Sequence, residues 1–94
     1  MIVYHCNLGY PLLSNNSEIF IPSTNVHARN THAQEGIDVW MKVENPNPDY
    51  EEMRYYHDMK KDENNMSTAA IFNSDINMGF AIEFDTDSLN HFVQ

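Results

Sequence analysis

The sequence predicts an all-β protein built from antiparallel sheet. Short apolar runs alternate with polar residues at a period of two, which is typical of half-buried strands. Clusters of Asn, Ser, Asp and Pro separate six such runs, and no long segment has the 3.6-residue period of a helix. A chain of 94 residues is long enough for one small domain, so we treat residues 1–94 as a single domain.

Two strands are predicted near the start of the chain. Residues 2–6 alternate in a way that would place His5 and Asn7 on one face, and residues 18–21 form a second strand that Pro22 ends. An imidazole beside a carboxamide at a strand end is suited to hold a hydroxylated ligand. The turn cluster at 14–17 lies between the two strands, so we expect them to pair as a hairpin.

A polar stretch with one helical turn is predicted next. Residues 25–30 carry few apolar side chains, and we expect irregular backbone there. Thr31 and Gln34 match a capping box, and Gly36 ends the helical turn. A segment this short does not form a stable helix on its own.

Four more strands are predicted after a loop at 45–48, where two prolines fix the backbone. In the first of them Tyr55 and His57 share one face. The clearest alternation belongs to residues 79–84, which predicts a half-buried strand. The four predicted strands are residues 52–57, 68–72, 79–84 and 91–94, with turns at 60–65, 73–75 and 86–88.

The charge balance argues against two classes of partner. The chain has 5 Lys and Arg against 14 Asp and Glu, a formal net charge of −9. Nucleic-acid phosphates and anionic membranes both attract basic surfaces, so we expect neither as a partner. The sequence contains no secretory signal pattern and no apolar run as long as a membrane span. We therefore expect a cytoplasmic protein.

Thiol and metal chemistry have little support in the sequence. Cys6 is the single cysteine, and its apolar neighbours favour a buried side chain. The chain has five histidines, but none are spaced as His-x-His or His-Glu-x-x-His. We expect no metal and no other cofactor.

Both ends of the chain have strand-like sequence. Residues 1–6 and 91–94 would present open strand edges, and such edges pair readily with other chains. We therefore expect part of a larger sheet structure that forms homo-oligomers through these edges.

A series of motifs resembles one family of proteins. The stretch YHCNLGYPLL at 4–13 is similar to its YHxNxGYPLL element, and the order continues through VHARN at 26–30, GIDVW at 36–40 and PNPDYEEM at 46–53. This family is the DUF4432 type of aldose 1-epimerase-like proteins, within the galactose mutarotase-like superfamily. Ala28 and Asn30 depart from the family's PRD-like element, where a proline and an acidic residue stand.

The resemblance implies a fragment of a galactose mutarotase-like β-supersandwich that binds a monosaccharide or sugar derivative. The family reaction would interconvert sugar anomers, which requires one group to accept a proton and another to give one. His5 resembles the general acid. The segment that would carry the catalytic glutamate is missing, so we expect the isolated chain to be inactive. The alternative function is a non-catalytic, truncated β module that self-associates.

Three further residues are candidates for substrate binding. Asn7 would hydrogen-bond a sugar hydroxyl, Arg29 would make a bidentate contact with an oxygen-rich ligand, and His57 would lie in the same sheet as His5. Purely structural alternatives exist for three of the four site candidates: His5 as a turn cap, Arg29 as a loop anchor, and His57 as a surface ion pair with Asp58. Four aromatic residues would either stack on a sugar or belong to the core, namely Trp40, Tyr50, Tyr55 and Tyr56.

Overall fold

The computed structural model describes residues 3–94 and confirms an antiparallel all-β fold. The strands are β1 (Ser17–Phe20), β2 (Ser23–Ala28), β3 (Tyr55–Met59), β4 (Met66–Asn73), β5 (Met78–Asp85) and β6 (Phe92–Val93), with a helix α1 (Thr31–Gln34) and a 3₁₀ turn (Ile37–Val39). The first sheet has the strand order β1–β4–β5, and the second has the order β2–β3–β6. Among the described residues, no helix has the length and apolar character needed to cross a bilayer.

The hairpin of β4 and β5 confirms the strands predicted at 68–72 and 79–84. Every residue of β4 pairs with β5, from Met66 opposite Asp85 to Asn73 opposite Met78. Antiparallel partners share a face, so the buried Ile71 on β4 lies on the same side as its partner on β5. Asn77 takes a positive φ of 51° in the connecting turn, a conformation that asparagine tolerates well.

β1 pairs with β4, so the hairpin predicted between residues 2–6 and 18–21 is wrong. Ile19 lies opposite Ile71 in this ladder. Residues 3–9 contain no strand, and residue 2 lies outside the described part of the chain. The alternating sequence there has no neighbouring strand to complete a hydrogen-bond ladder, which a strand requires. Cys6 is consequently exposed, and its predicted burial is also wrong.

The chain passes from the first sheet to the second within two residues. Ile21 is buried at this crossing, and the Pro22 carbonyl accepts a hydrogen bond from the Lys60 N–H at 2.7 Å. Residues 25–30 were expected to be irregular, but β2 covers most of them and pairs with β3 through an irregular register between Ser23 and Asn25. β2 is polar because it is an edge strand with one face toward water.

The helical turn predicted at Thr31–Gln34 is confirmed, although its cap lies one residue earlier. The Asn30 side-chain oxygen accepts a hydrogen bond from the Ala33 N–H at 2.8 Å. Asn30 has extended backbone, as an N-cap residue does, and Ala33 is buried beneath the turn. The asparagine that departs from the family's acidic residue therefore begins the helix.

Aromatic side chains bring the inner faces of the two sheets into contact. Phe84 of β5 stacks on Phe92 of β6, with ring centroids 5.7 Å apart and an interplanar angle of 18°. The strand predicted at 91–94 is confirmed as β6, and Gln94 extends it by exchanging two backbone hydrogen bonds of 2.9 Å with Tyr55. This register places the Gln94 side chain beside β3, where the candidate site lies.

Candidate functional site

The structure places the four predicted site residues in very different surroundings. His5 and Asn7 are exposed in the segment 3–9, and Arg29 is exposed directly after β2. The Arg29 backbone N–H donates to the Arg54 carbonyl at 3.0 Å, so this residue anchors its loop through the main chain. His57 is only 4% exposed. No hydrogen bond within residues 3–94 joins any two of the four side chains.

His57 lies at the centre of a chain of hydrogen bonds on the inner face of β3. This chain joins Ser23, His57, Gln94 and the Trp40 carbonyl, and we call it the relay. The Gln94 amide N–H donates to the Trp40 carbonyl at 2.8 Å, which turns the Gln94 Oε1 toward His57 at 2.9 Å from its Nε2. An oxygen in that position accepts, so Nε2 carries a proton. With Nε2 protonated, the neutral ring accepts at Nδ1, which lies 2.7 Å from the Ser23 hydroxyl. That hydroxyl also lies 3.0 Å from the Ile21 carbonyl, so its single proton is shared between these two acceptors.

Two aromatic rings complete the surroundings of His57. The Trp40 ring packs edge-on at a centroid distance of 4.7 Å, and the Phe92 ring packs edge-on at 5.8 Å. Burial among these rings lowers the pKa of His57 below its ordinary value of 6.5, while the hydrogen bond to Gln94 acts in the opposite direction. His57 is therefore neutral at pH 7. The alternative of a surface pair with Asp58 is wrong, because Asp58 lies 3.3 Å from His27 instead.

Trp40 and Gln94 of the relay line an open groove of about 520 Å³, whereas His57 and Ser23 do not line it. We call it the aromatic groove. Its lining includes three aromatic side chains and three side-chain amides, namely Trp40, Tyr50, Tyr55, Asn45, Asn47 and Gln94. Known small-molecule sites occupy ~300–1,000 Å³ and combine apolar or aromatic walls with a few polar groups. The groove therefore has the size and composition of a site for a small polar molecule.

Local structure holds the aromatic residues at the groove. Trp40 ends the 3₁₀ turn, and its carbonyl is fixed by Gln94. Tyr50 follows the proline loop predicted at 45–48, where its N–H donates to the Asn47 carbonyl at 3.1 Å and the Asp49 N–H donates to the Asn47 side chain at 3.0 Å. This Asx-type turn projects Tyr50, which is 52% exposed.

The three aromatic residues of the groove have different roles. Tyr55 is core, because it is buried and its hydroxyl donates to the Ala33 carbonyl at 2.9 Å. Trp40 is half-buried and Tyr50 is exposed, so both can present ring surface to a ligand. Tyr56 is exposed on the opposite face of β3 and does not line the groove. Of the four aromatic residues predicted either to stack on a sugar or to belong to the core, three line the groove and Tyr56 does not.

Charge around the groove is predominantly negative. Glu35, Lys42 and Glu44 line it, giving two carboxylates against one ammonium. Partial burial, then the Glu44 carboxylate, raises the pKa of the Tyr50 phenol. Burial also raises the pKa of Tyr55, with smaller contributions from Tyr50 and Glu44. The field of Glu44 therefore extends over both phenol groups.

No metal ligand set accompanies the groove. The described residues contain no group of three or more His, Cys, Asp or Glu side chains that could hold a metal ion.

Comparison with known proteins identifies the family. A family model described as a domain of unknown function, DUF4432, matches residues 1–94, and the chain therefore belongs to this family. No curated protein and no solved structure matches the chain. The family membership agrees with the resemblance carried by the sequence motifs, while the relation to aldose 1-epimerases remains a prediction.

Proposed function

We propose that this chain binds a monosaccharide or sugar derivative in the aromatic groove. The observation that carries the proposal is that exposed ring surface and side-chain amides line the same groove. Tyr50 and Trp40 offer flat apolar faces, and Gln94 and the asparagines offer hydrogen-bonding groups beside them. A sugar has the complementary pattern, with C–H faces and a ring of hydroxyl groups.

Gln94 has capacity left for a ligand. Its Oε1 accepts from His57 and one amide proton goes to Trp40, which leaves one N–H and one oxygen lone pair uncommitted. The relay behind it fixes the orientation of the amide, so little side-chain freedom is lost when a ligand binds.

The epimerase reaction implied by the family resemblance is not part of this proposal. That reaction needs an oriented acid and base. The ring nitrogens of His57 are both engaged, by Ser23 and Gln94, and His5 is exposed in an irregular segment. We propose binding without turnover for this chain.

The test is titration of the protein with glucose and galactose by isothermal calorimetry or NMR. At about 0.3 kcal/mol per non-hydrogen atom, a monosaccharide binds with a Kd on the order of 1 mM. Tyr50→Ala removes one ring face, and we expect affinity to fall roughly two- to tenfold. Tyr56→Ala is the matched control, because it removes an exposed tyrosine outside the groove. Equal affinities for the two variants would place the ligand elsewhere.

A second candidate function is self-association, and the structure favours a different strand edge for it from the two that the sequence predicted. Within the described residues, 3–6 form no strand, so the edge expected at residues 1–6 is not seen there, and residues 1–2 lie outside the described part of the chain. The edge expected at 91–94 is short, because β6 has two residues. The longer edge is β5, whose eight residues pair with β4 on one side only among the described strands. Two copies of β5 could pair antiparallel about a two-fold axis, satisfying the free backbone groups of both.

Sedimentation at micromolar concentration tests this second candidate. We expect dimers for the wild type and monomers for Ala81→Lys, which adds a charge in the middle of the β5 edge. Ser88→Lys adds the same charge in the turn after β5 and should leave the dimer intact. A monomeric wild type would exclude the β5 interface.

A further inference from the structure

We propose that the aromatic groove selects a cationic amino sugar over neutral and acidic sugars. This inference rests on the proposed function, because it names the class of sugar that the same groove takes. Its basis is the arrangement of charge beside exposed ring surface, which the family resemblance does not address.

The carboxylates at the groove are available to a ligand. Glu44 forms no ion pair with any residue between 3 and 94, and the oxygen of Glu35 is 3.8 Å from the His32 ring, at the limit of a contact. Lys42 also lines the groove but forms no ion pair there within the described residues. An ammonium group entering the groove would therefore gain a partner without displacing one.

The aromatic rings favour the same sign of charge. The face of a tyrosine or tryptophan ring carries negative charge density, and it attracts an ammonium group held within about 6 Å. Tyr50 and Trp40 both line the groove, and Glu44 lies close enough to Tyr50 to act on its phenol group. A ring face and a carboxylate at one site together recognise an amine attached to an apolar ring.

The charge of the whole protein points in the same direction. The formal net charge of −9 attracts cations over a Debye length and repels sugar phosphates and uronates. Neutral sugars gain nothing from this field. An amino sugar is the sugar class that uses the rings, the amides and the charge together.

The experiment compares glucosamine, N-acetylglucosamine and glucuronate by calorimetric titration, at a pH where the amine of glucosamine is protonated. N-acetylglucosamine keeps the nitrogen and removes its charge. We expect glucosamine to bind about three- to tenfold more tightly than N-acetylglucosamine, the combined effect of one exposed ion pair and one cation–π contact. Glucuronate should bind most weakly, and added salt should reduce the preference.

Two variants with equal net charge locate the effect. Glu44→Gln removes the carboxylate at the groove, and we expect the preference for glucosamine to shrink toward unity. Glu63→Gln removes a carboxylate from the exposed turn before β4 and should leave the preference unchanged. Both variants change the long-range field equally, so a difference between them reports the local carboxylate.

The outcomes separate this inference from the proposed function. Equal binding of glucosamine and N-acetylglucosamine, or a preference that survives Glu44→Gln, would overturn the amino-sugar inference while sugar binding stands. Ethanolamine binding as tightly as glucosamine would retain the cation site and overturn the sugar. Absence of binding by all four compounds would overturn both.

Discussion

Replacing Asn73 with alanine should destabilise the protein far more than its position at a strand end suggests. Asn73 is the last residue of β4 and only 1% exposed. Its amide nitrogen donates to the Pro11 carbonyl at 2.9 Å, to the Leu12 carbonyl at 3.3 Å and to the Ser14 hydroxyl at 3.1 Å. This one side chain therefore holds the turn before β1 against the first sheet.

The magnitude follows from the bonds that the substitution removes. Two amide protons and one accepting oxygen are lost, the oxygen being the acceptor for the Asp75 N–H at 3.0 Å. At about 0.5–1.5 kcal/mol for each hydrogen bond, we expect a loss of roughly 2–4 kcal/mol. The whole free energy of unfolding for 94 residues is on the order of 5–14 kcal/mol, so this is a large share.

Urea unfolding followed by circular dichroism measures this effect against two companion variants. Asn15→Ala changes an exposed asparagine in the same turn and should cost less than about 0.5 kcal/mol. Asn73→Asp keeps the size but sets an acceptor against three oxygens, so it should be at least as destabilising as Asn73→Ala. If Asn73→Ala and Asn15→Ala unfold at the same urea concentration, the hydrogen bonds of the Asn73 side chain contribute nothing to the free energy of unfolding. A more stable Asn73→Asp would show that the side chain is oriented the other way.

Two further predictions concern the histidines. Folding lowers the pKa of His57, so the unfolded chain binds more protons below pH 6.5, and the free energy of unfolding should fall as the pH decreases from that value toward the lower folded pKa. In urea unfolding, His57→Gln should lack this part of the decrease in stability at low pH. His27→Gln, at an exposed site, should retain it. Polarimetry of fresh glucose and galactose should show no catalysed mutarotation, and activity that disappears in His5→Ala would contradict binding without turnover.

Local signals predicted the elements whose partners lie next to them in the sequence. β4 and β5 form a hairpin across a short turn, so alternation in each strand and the Asn-Ser-Asp cluster sufficed. The pairing of β1 with β4 joins residues at least fifty positions apart, as in Ser17 opposite Asn73, and no local pattern specifies it. β2 was missed for a different reason, since an edge strand with a solvated face carries few apolar residues.

The sequence pointed to several residues of the candidate site but not to the way the fold brings them together. Alternation placed Tyr55 and His57 on one face of β3, and both are buried there. The aromatic residues of the groove were recognised as sugar-stacking candidates. No local sequence pattern pointed to Gln94 as a site residue. Its position follows from the register of β6 on β3, and its amide is oriented by the hydrogen bond to the Trp40 carbonyl. The alternation at 3–7 gave a site for His5 and Asn7 that the structure does not build as a strand.

Buried polar side chains are almost as numerous as buried apolar ones among residues 3–94. Only five apolar side chains are buried among residues 3–94, and two of them are alanines. Four polar residues are equally buried, including His57 and Asn73. A small apolar core supplies limited stability, so the hydrogen bonds that position loops against the sheets carry a larger share of it. The same relay that stabilises the second sheet also orients Gln94 in the groove. If the groove binds a sugar as proposed, stability and binding should be coupled at His57, whereas Tyr50, exposed at the groove, should affect binding alone.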